Sequence, residues 1–199
     1  MTAAVAGSDG KLRCPWSLSA PEYLDYHDRE WGQPVTTISG LYERMTLEAF
    51  QSGLSWITIL RKRENFRAAF DQFVPERVAS YDETHVERLM HDAGIVRNLA
   101  KIDAAITNAR VIAAWGQGFA DLVWSYYEVD HRRPLTLAEV PASSAASVAL
   151  SQQLRKRGIR FLGPTTTYAT MQAVGLVNDH LLNCWVLVPR LTSGPNDTE

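Results

Sequence analysis

Gly158-Ile159-Arg160-Phe161-Leu162-Gly163-Pro164-Thr165 lies between two helical patterns, and its reading decides the fold. Upstream, Ser144 to Arg157 reads as a helix closed by Gly158, a residue that tolerates the left-handed backbone of a helix end. Downstream, Pro164 suits the first turn of a second helix, where its missing N–H is no loss. Two helices joined by so short a connection, with glycine at both ends, describe a helix–hairpin–helix. Amides freed at the second helix's N-terminus would point at an anion, most naturally a phosphate. An ordinary helix–turn–helix corner fits the same segment. Arg155, Lys156, Arg157 and Arg160 around it bring the two readings level.

Outward from this hairpin the pattern stays helical. Ile38, Leu41, Tyr42, Met45 and Ala49 form a stripe with helical spacing, and Leu99, Ile102, Ile106, Ala109 and Ala113 form a longer one that stops near Gly116. Val86, Leu89 and Met90 suggest a short helix capped by Gly94. Loops fall at Gly32 to Thr37, Asp130 to Pro134 and Pro141 to Ser144, and only Arg160 to Leu162 and Trp185 to Val188 look strand-like. An all-α fold is expected. It would comprise a flexible tail over 1–11, one domain over 12–190 with two helical lobes sharing a cleft, and a second flexible tail over 191–199.

The chain has 199 residues, 46% hydrophobic and 21% charged, which is globular composition for one ordinary domain. No apolar run approaches the length of about 18 residues that spans a membrane. Met1 to Gly10 lacks the charged and apolar regions of a signal peptide, so a cytoplasmic protein is expected. The net charge of −2 argues, taken alone, against a nucleic-acid binder. That average hides an acidic stretch from Ala20 to Glu48 and two basic runs, Arg61-Lys62-Arg63 with Arg67 and Arg155-Lys156-Arg157 with Arg160. Such runs are either solvated helix faces or binding surfaces.

Two cysteines are too few for a disulfide scaffold. Cys14 and His27 stand near the start, and His180 and Cys184 stand at i and i+4 near the end. On a helix that spacing would put the second pair on one face. Two thiolates and two imidazoles are the ligand set of a closed structural zinc site. A zinc there would clip the ends of the chain together and remove unfolded-state entropy. Unrelated buried cysteines, a disulfide, and core or surface histidines are the alternatives.

Trp16, Tyr23, Tyr26, Trp31, Glu48 and Trp56 make a third group. Glu48 sits at the edge of the buried stripe of its helix. A carboxylate there needs a partner, or its pKa rises. It either pairs with Arg44 or Ser52, or accepts hydrogen bonds from the edge of a flat, electron-poor ring sandwiched by the aromatics.

These residues resemble the bacterial DNA-3-methyladenine glycosylase I family, within the helix-hairpin-helix glycosylase superfamily. The matching blocks are Arg13-Cys-Pro-Trp16, Tyr26-His-Asp-Arg-Glu-Trp-Gly32, Leu47-Glu-Ala-Phe-Gln-Ser-Gly-Leu-Ser-Trp56, Lys62-Arg-Glu-Asn-Phe66 and Gly175-Leu-Val-Asn-Asp-His180, in collinear order. The resemblance implies that Cys14, His27, His180 and Cys184 bind zinc, and that Glu48 recognises an extruded base. It implies that Tyr26 and Trp56 stack on that base, with Trp16 and Trp31 around it. It also implies that Gly158, Arg160 and Gly163, with Arg155 and Lys156, hold the DNA backbone. Two departures are the extension Met1 to Gly10 and Phe50, where family members often carry a polar residue.

The implied activity is base excision repair. A monomeric, monofunctional N-glycosyl hydrolase would flip 3-methyladenine out of double-stranded alkylated DNA and release it as free base, leaving an abasic site. The superfamily's usual aspartate beyond the hairpin helix has no obvious counterpart, and no nucleophilic lysine is evident. A non-catalytic module that binds alkylation damage through the same pocket is the alternative. A zinc hydrolase would need an open coordination position, which four ligands do not leave.

Overall fold

A computed structural model describes residues 3–189 of the chain, and the expected C-terminal tail 191–199 lies outside them. Strands β1 (Val5–Ala6) and β2 (Leu12–Arg13) precede α1 (Pro21–Arg29), α2 (Ile38–Gln51), α3 (Trp56–Ala69), α4 (Pro75–Ala79) and α5 (Glu83–His91). Helices α6 (Leu99–Trp115), α7 (Gln117–Trp124), α8 (Ala145–Lys156) and α9 (Pro164–Val174) complete the order. Short 3-10 turns stand at Pro15–Leu18, Asp71–Phe73 and Leu137–Glu139. The fold is mostly helical, as the apolar spacing dictates.

Helix α2 is the centre. Its N-cap Thr37 accepts from the Gly40 amide at 3.2 Å, and every residue from Met45 to Phe50 is buried. It packs against α3, α6, α7 and α9, while α4 lies on α6 and α8 on α9. The enclosed stretch Met45 to Phe50 is otherwise without charge, so Glu48 within it is conspicuous. Phe50 fills the space behind Glu48's helix, with ring centroids 4.8 Å from Phe66 and 6.1 Å from Phe70. A second, smaller apolar cluster forms around Cys14, Leu181, Cys184 and Val186, with Trp16 and Trp31 packed on it.

Several local expectations are corrected. Within the stretch read as an N-terminal tail, Val5–Ala6 pairs antiparallel with Leu12–Arg13. Gly94 does not cap α5: the helix ends at His91, and Asp92 accepts from the Gly94 amide through its own side chain at 2.7 Å. Arg160–Leu162 is not a strand, because Phe161 takes a left-handed φ of 59°. Trp185–Val188 is not a strand, although the Trp185 amide donates to the Leu12 carbonyl of β2 at 2.8 Å. His180 and Cys184 are not on a helix. Gly175 ends α9 with a φ of 81°, and residues 178–185 form loop and turn instead. A Cβ on Gly175 would come within 2.7 Å of the Gly32 carbonyl, so glycine alone lets these two segments meet.

Candidate active site and metal centre

Four helices and two loops build one pocket of about 280 Å³. Helix α1 contributes Tyr23 and Tyr26, α2 contributes Glu48 and Gln51, and α9 contributes Ala169 and Gln172. Each of these pairs is three residues apart, which puts both members on one helix face. Trp56 opens α3, Trp16 sits in the first 3-10 turn, and Trp31 follows α1. All the aromatic and acidic residues singled out in the sequence therefore converge.

Glu48 is 7% exposed, and among the described residues nothing forms a hydrogen bond or ion pair with it. Neither Arg44 nor Ser52 is its partner. Burial pushes its carboxyl up to about 8, against a weaker opposing pull from the Arg44 charge. Tyr26 is also fully enclosed, and its phenol is pushed well up by burial and by Glu48. The indole Nε1 of Trp56 is buried without a partner. An unmet buried polar group costs about 1–3 kcal/mol, so this pocket is built to be completed by a ligand.

Tyr26 and Trp56 do not face each other across a gap. Tyr26 and Trp56 centroids stand 5.4 Å apart at 46°. A ring held between two others needs two stacking gaps of about 3.5 Å each. Tyr26 and Trp56 are therefore adjoining walls, each offering one face.

Sequence reasoning missed Gln51 and Gln172. Gln172 donates from Nε2 to Asp179 at 2.7 Å, and Asp179 also accepts from Tyr168 at 2.8 Å and pairs with His131 at 2.7 Å. A carboxylate only accepts, so the amide is turned with its carbonyl as the unbonded end. The signal available in the sequence was the three-residue spacing of Ala169 and Gln172 on the helix after the hairpin.

Behind the aromatic wall lie Cys14, His27, His180 and Cys184, all buried, with ligand atoms within 4.8 Å of one another. His27 Nε2 is 3.2 Å from His180 Nδ1 and 3.5 Å from Cys184 Sγ; His180 Nδ1 is 3.7 Å from Cys184 Sγ and 4.0 Å from Cys14 Sγ. The edges of a tetrahedron with zinc–ligand bonds of about 2.0–2.3 Å are about 3.3–3.8 Å. The donor set fits a metal.

The tautomers fit as well. His27 Nδ1 is engaged by Asp28 at 2.8 Å and His180 Nε2 by the Trp31 carbonyl at 3.0 Å, leaving Nε2 and Nδ1 respectively to face the cluster. Asp28 is in turn held by Arg13, which Asp9 also grips. Both cysteines are free thiols, which removes the disulfide alternative. The Cys184 thiol is held low by hydrogen bonds from Cys14 and both imidazoles, and Cys14 is held high as their partner.

A model of the family described as methyladenine glycosylase matches residues 16–187. The chain belongs to the methyladenine glycosylase family. DNA-3-methyladenine glycosylase 1 of Escherichia coli (strain K12) is 50% identical over 179 residues, spanning 86% of this chain and 95% of that protein. A crystal structure of 3-methyladenine DNA glycosylase I is 48% identical with a TM-score of 0.83, covering 89% of this chain and 100% of the other. A relative solved in complex with 3-methyladenine is 32% identical with a TM-score of 0.81, covering 86% of this chain and 95% of its own.

Within this family member the basic hairpin is only partly as expected. Gly158 has a φ of 96° and closes α8, but Gly163 is extended at −75°, and the second left-handed residue is Phe161. Arg160's amide donates to Asn108 Oδ1 at 2.7 Å and its carbonyl accepts from Asn108 Nδ2 at 3.1 Å. Only its side chain is therefore available to a ligand. Gly163 caps α9 without a side chain, so the first-turn amides of Thr165 and Thr166 have no side-chain cap. Arg157 lies over the Trp115 ring at 4.1 Å. No helix of the described chain is long and apolar enough to cross a membrane.

Proposed function

We propose that this protein excises 3-methyladenine from alkylated double-stranded DNA by hydrolysis, releasing the free base and leaving an abasic site. The observation that carries the reading is Glu48, a buried carboxylate without a partner in an aromatic pocket. The family membership supports the same reading.

The target base must leave the duplex stack before a pocket of this kind can enclose it. Methylation at N3 makes adenine cationic and weakens its glycosidic bond, because the base departs neutral. Little leaving-group activation is then needed, and selection of the damaged base is the main task. Tyr26 and Trp56 each offer a ring face to a cation, with Trp16 and Trp31 closing the pocket. Glu48 prefers to be protonated in the empty pocket, since burial raises its pKa to about 8. A cationic base favours its ionised form, so recognition and ionisation reinforce each other. No lysine is among the residues lining the pocket, consistent with a monofunctional hydrolase.

In this reading Arg155, Lys156 and the Arg160 side chain meet phosphates beside the open first turn of α9, with Gly158 and Gly163 shaping the helix–hairpin–helix. The protein acts as a monomer, with residues 12–190 as one domain. Cys14, His27, His180 and Cys184 hold zinc as a closed structural site, whose contribution is a cross-link and no chemistry on DNA. Metal analysis of purified protein is expected to find one equivalent; less than about half would sink the zinc assignment.

The deciding experiment measures free 3-methyladenine released from alkylated DNA by wild type and by Glu48→Ala. Release by wild type and its loss in the variant are expected. No release by wild type, with tight binding retained, would instead identify a damage-binding module.

A further inference from the structure

The pocket carboxylate is unpaired although a cation stands one helical turn away. Arg44 and Glu48 are at i and i+4 on α2, the spacing at which an arginine and a glutamate ordinarily meet. Arg44 instead points its guanidinium elsewhere: Nη2 donates to Glu30 at 3.1 Å and Nη1 to Glu43 at 3.4 Å. Glu30 follows the last residue of α1 and also accepts from Arg63 of α3 at 2.6 Å. Glu43 is held by Arg67 at 2.8 Å. The acids and arginines behind the pocket thus satisfy one another and leave Glu48 out.

We propose that Glu30 is a positioning residue, which holds the Arg44 guanidinium off Glu48 so that the pocket carboxylate stays free for the base. The inference rests on the reading of Glu48 as the base-recognising group. With Glu30's charge removed, Arg44 keeps only a neutral acceptor there and the longer bond to Glu43, and the unpaired carboxylate one helical turn away is Glu48. Pairing there would occupy the acceptor that the free base needs and, on the alkylated nucleotide, would place a second cation beside a cationic ring.

The test titrates the folded holoprotein with free 3-methyladenine, followed by tryptophan fluorescence, and times excision from alkylated DNA in single turnovers. Glu30→Gln is expected to weaken base binding by about tenfold, a change of about 1.4 kcal/mol. The double variant Glu30→Gln with Arg44→Met is expected to recover most of that loss, because the competing cation is gone. A purely structural role for Glu30 predicts the opposite, since the double variant would lose still more of the ion-pair network. Normal binding by Glu30→Gln, or loss without recovery in the double variant, overturns the proposal. Should Glu30→Gln not fold, Glu43→Gln loosens the other hold. A smaller weakening rescued by Arg44→Met then supports the proposal, and unchanged binding overturns it. Glu48→Gln separates the two ideas: if it binds 3-methyladenine as wild type does, the reading of Glu48 fails, not the holding of Arg44.

Discussion

The chain carries two basic runs of the same make-up, and the fold uses them in opposite ways. Arg61, Arg63 and Arg67 of α3 are paired with Glu22, Glu30, Glu43 and Glu64, while Lys62 donates to the Ala93 carbonyl. Among the described residues no carboxylate pairs with Arg155, Lys156 or Arg160, and Arg157 lies on Trp115. The first run neutralises the acidic stretch that carries the base pocket. The second is left with its charge unspent beside an uncapped helix start. Net charge per segment is blind to this difference, because it counts charges and not their partners.

The contrast is most severely tested by neutralising the second run. Arg155→Ala with Lys156→Ala and Arg160→Ala is expected to weaken DNA binding on the order of a hundredfold at low salt. The salt dependence should become shallower by about three units, with thermal stability little changed. An unchanged slope would mean that these charges only solvate a helix.

The acid that the first run leaves unpaired gives the next test. Burial raises the Glu48 carboxyl from its ordinary 4.5 to about 8, so the folded state holds its proton more tightly. That contribution is complete below the unfolded value and is lost as pH rises through about 8. Glu48→Gln removes the titration. It should leave the melting temperature unchanged near pH 4 and stabilise at pH 9 by about 2 kcal/mol, below the ceiling of about 5 that the shift sets. A stability gap independent of pH would contradict the unpaired carboxylate.

Within the first run, Arg63→Met should destabilise the fold by about 2 kcal/mol while leaving the salt slope of DNA binding alone. A shallower slope would place this run on DNA after all. Arg61→Ala breaks a pair whose members are 58% and 41% exposed, and should leave the denaturant midpoint almost unchanged.

Much of this was legible in the sequence. The stripes of α2 and α6 located those helices, and Ser144 with Gly158 bounded α8, because caps and apolar spacing are local properties. Tyr26, Glu48 and Trp56 come together because each sits on a face its own helix buries. The four metal-binding candidates come together, but not for the local reason their spacing suggested. His180 and Cys184 approach through a turn, and their i, i+4 spacing is incidental. How Tyr26 and Trp56 stand to each other could not be read, because ring-to-ring distance depends on how α1 meets α3, which no local pattern encodes. The two basic runs could not be told apart for the same reason: Arg63 and Glu30 lie far apart along the chain. The orientation of Gln172 could not be read, because it depends on Asp179, beyond the end of its helix.

Tyr26 and His27 are neighbours on α1, one walling the pocket and the other facing the cluster. Through Trp31 the wall also leans on His180, 153 positions after His27. A ribosome adding about 5–20 residues per second needs on the order of ten seconds to cover that interval. Throughout it, α1 can seat on α3 but not on the segment that carries His180. A chain that stops short of His180 therefore holds every residue that lines the pocket but lacks the support behind its Trp31 wall.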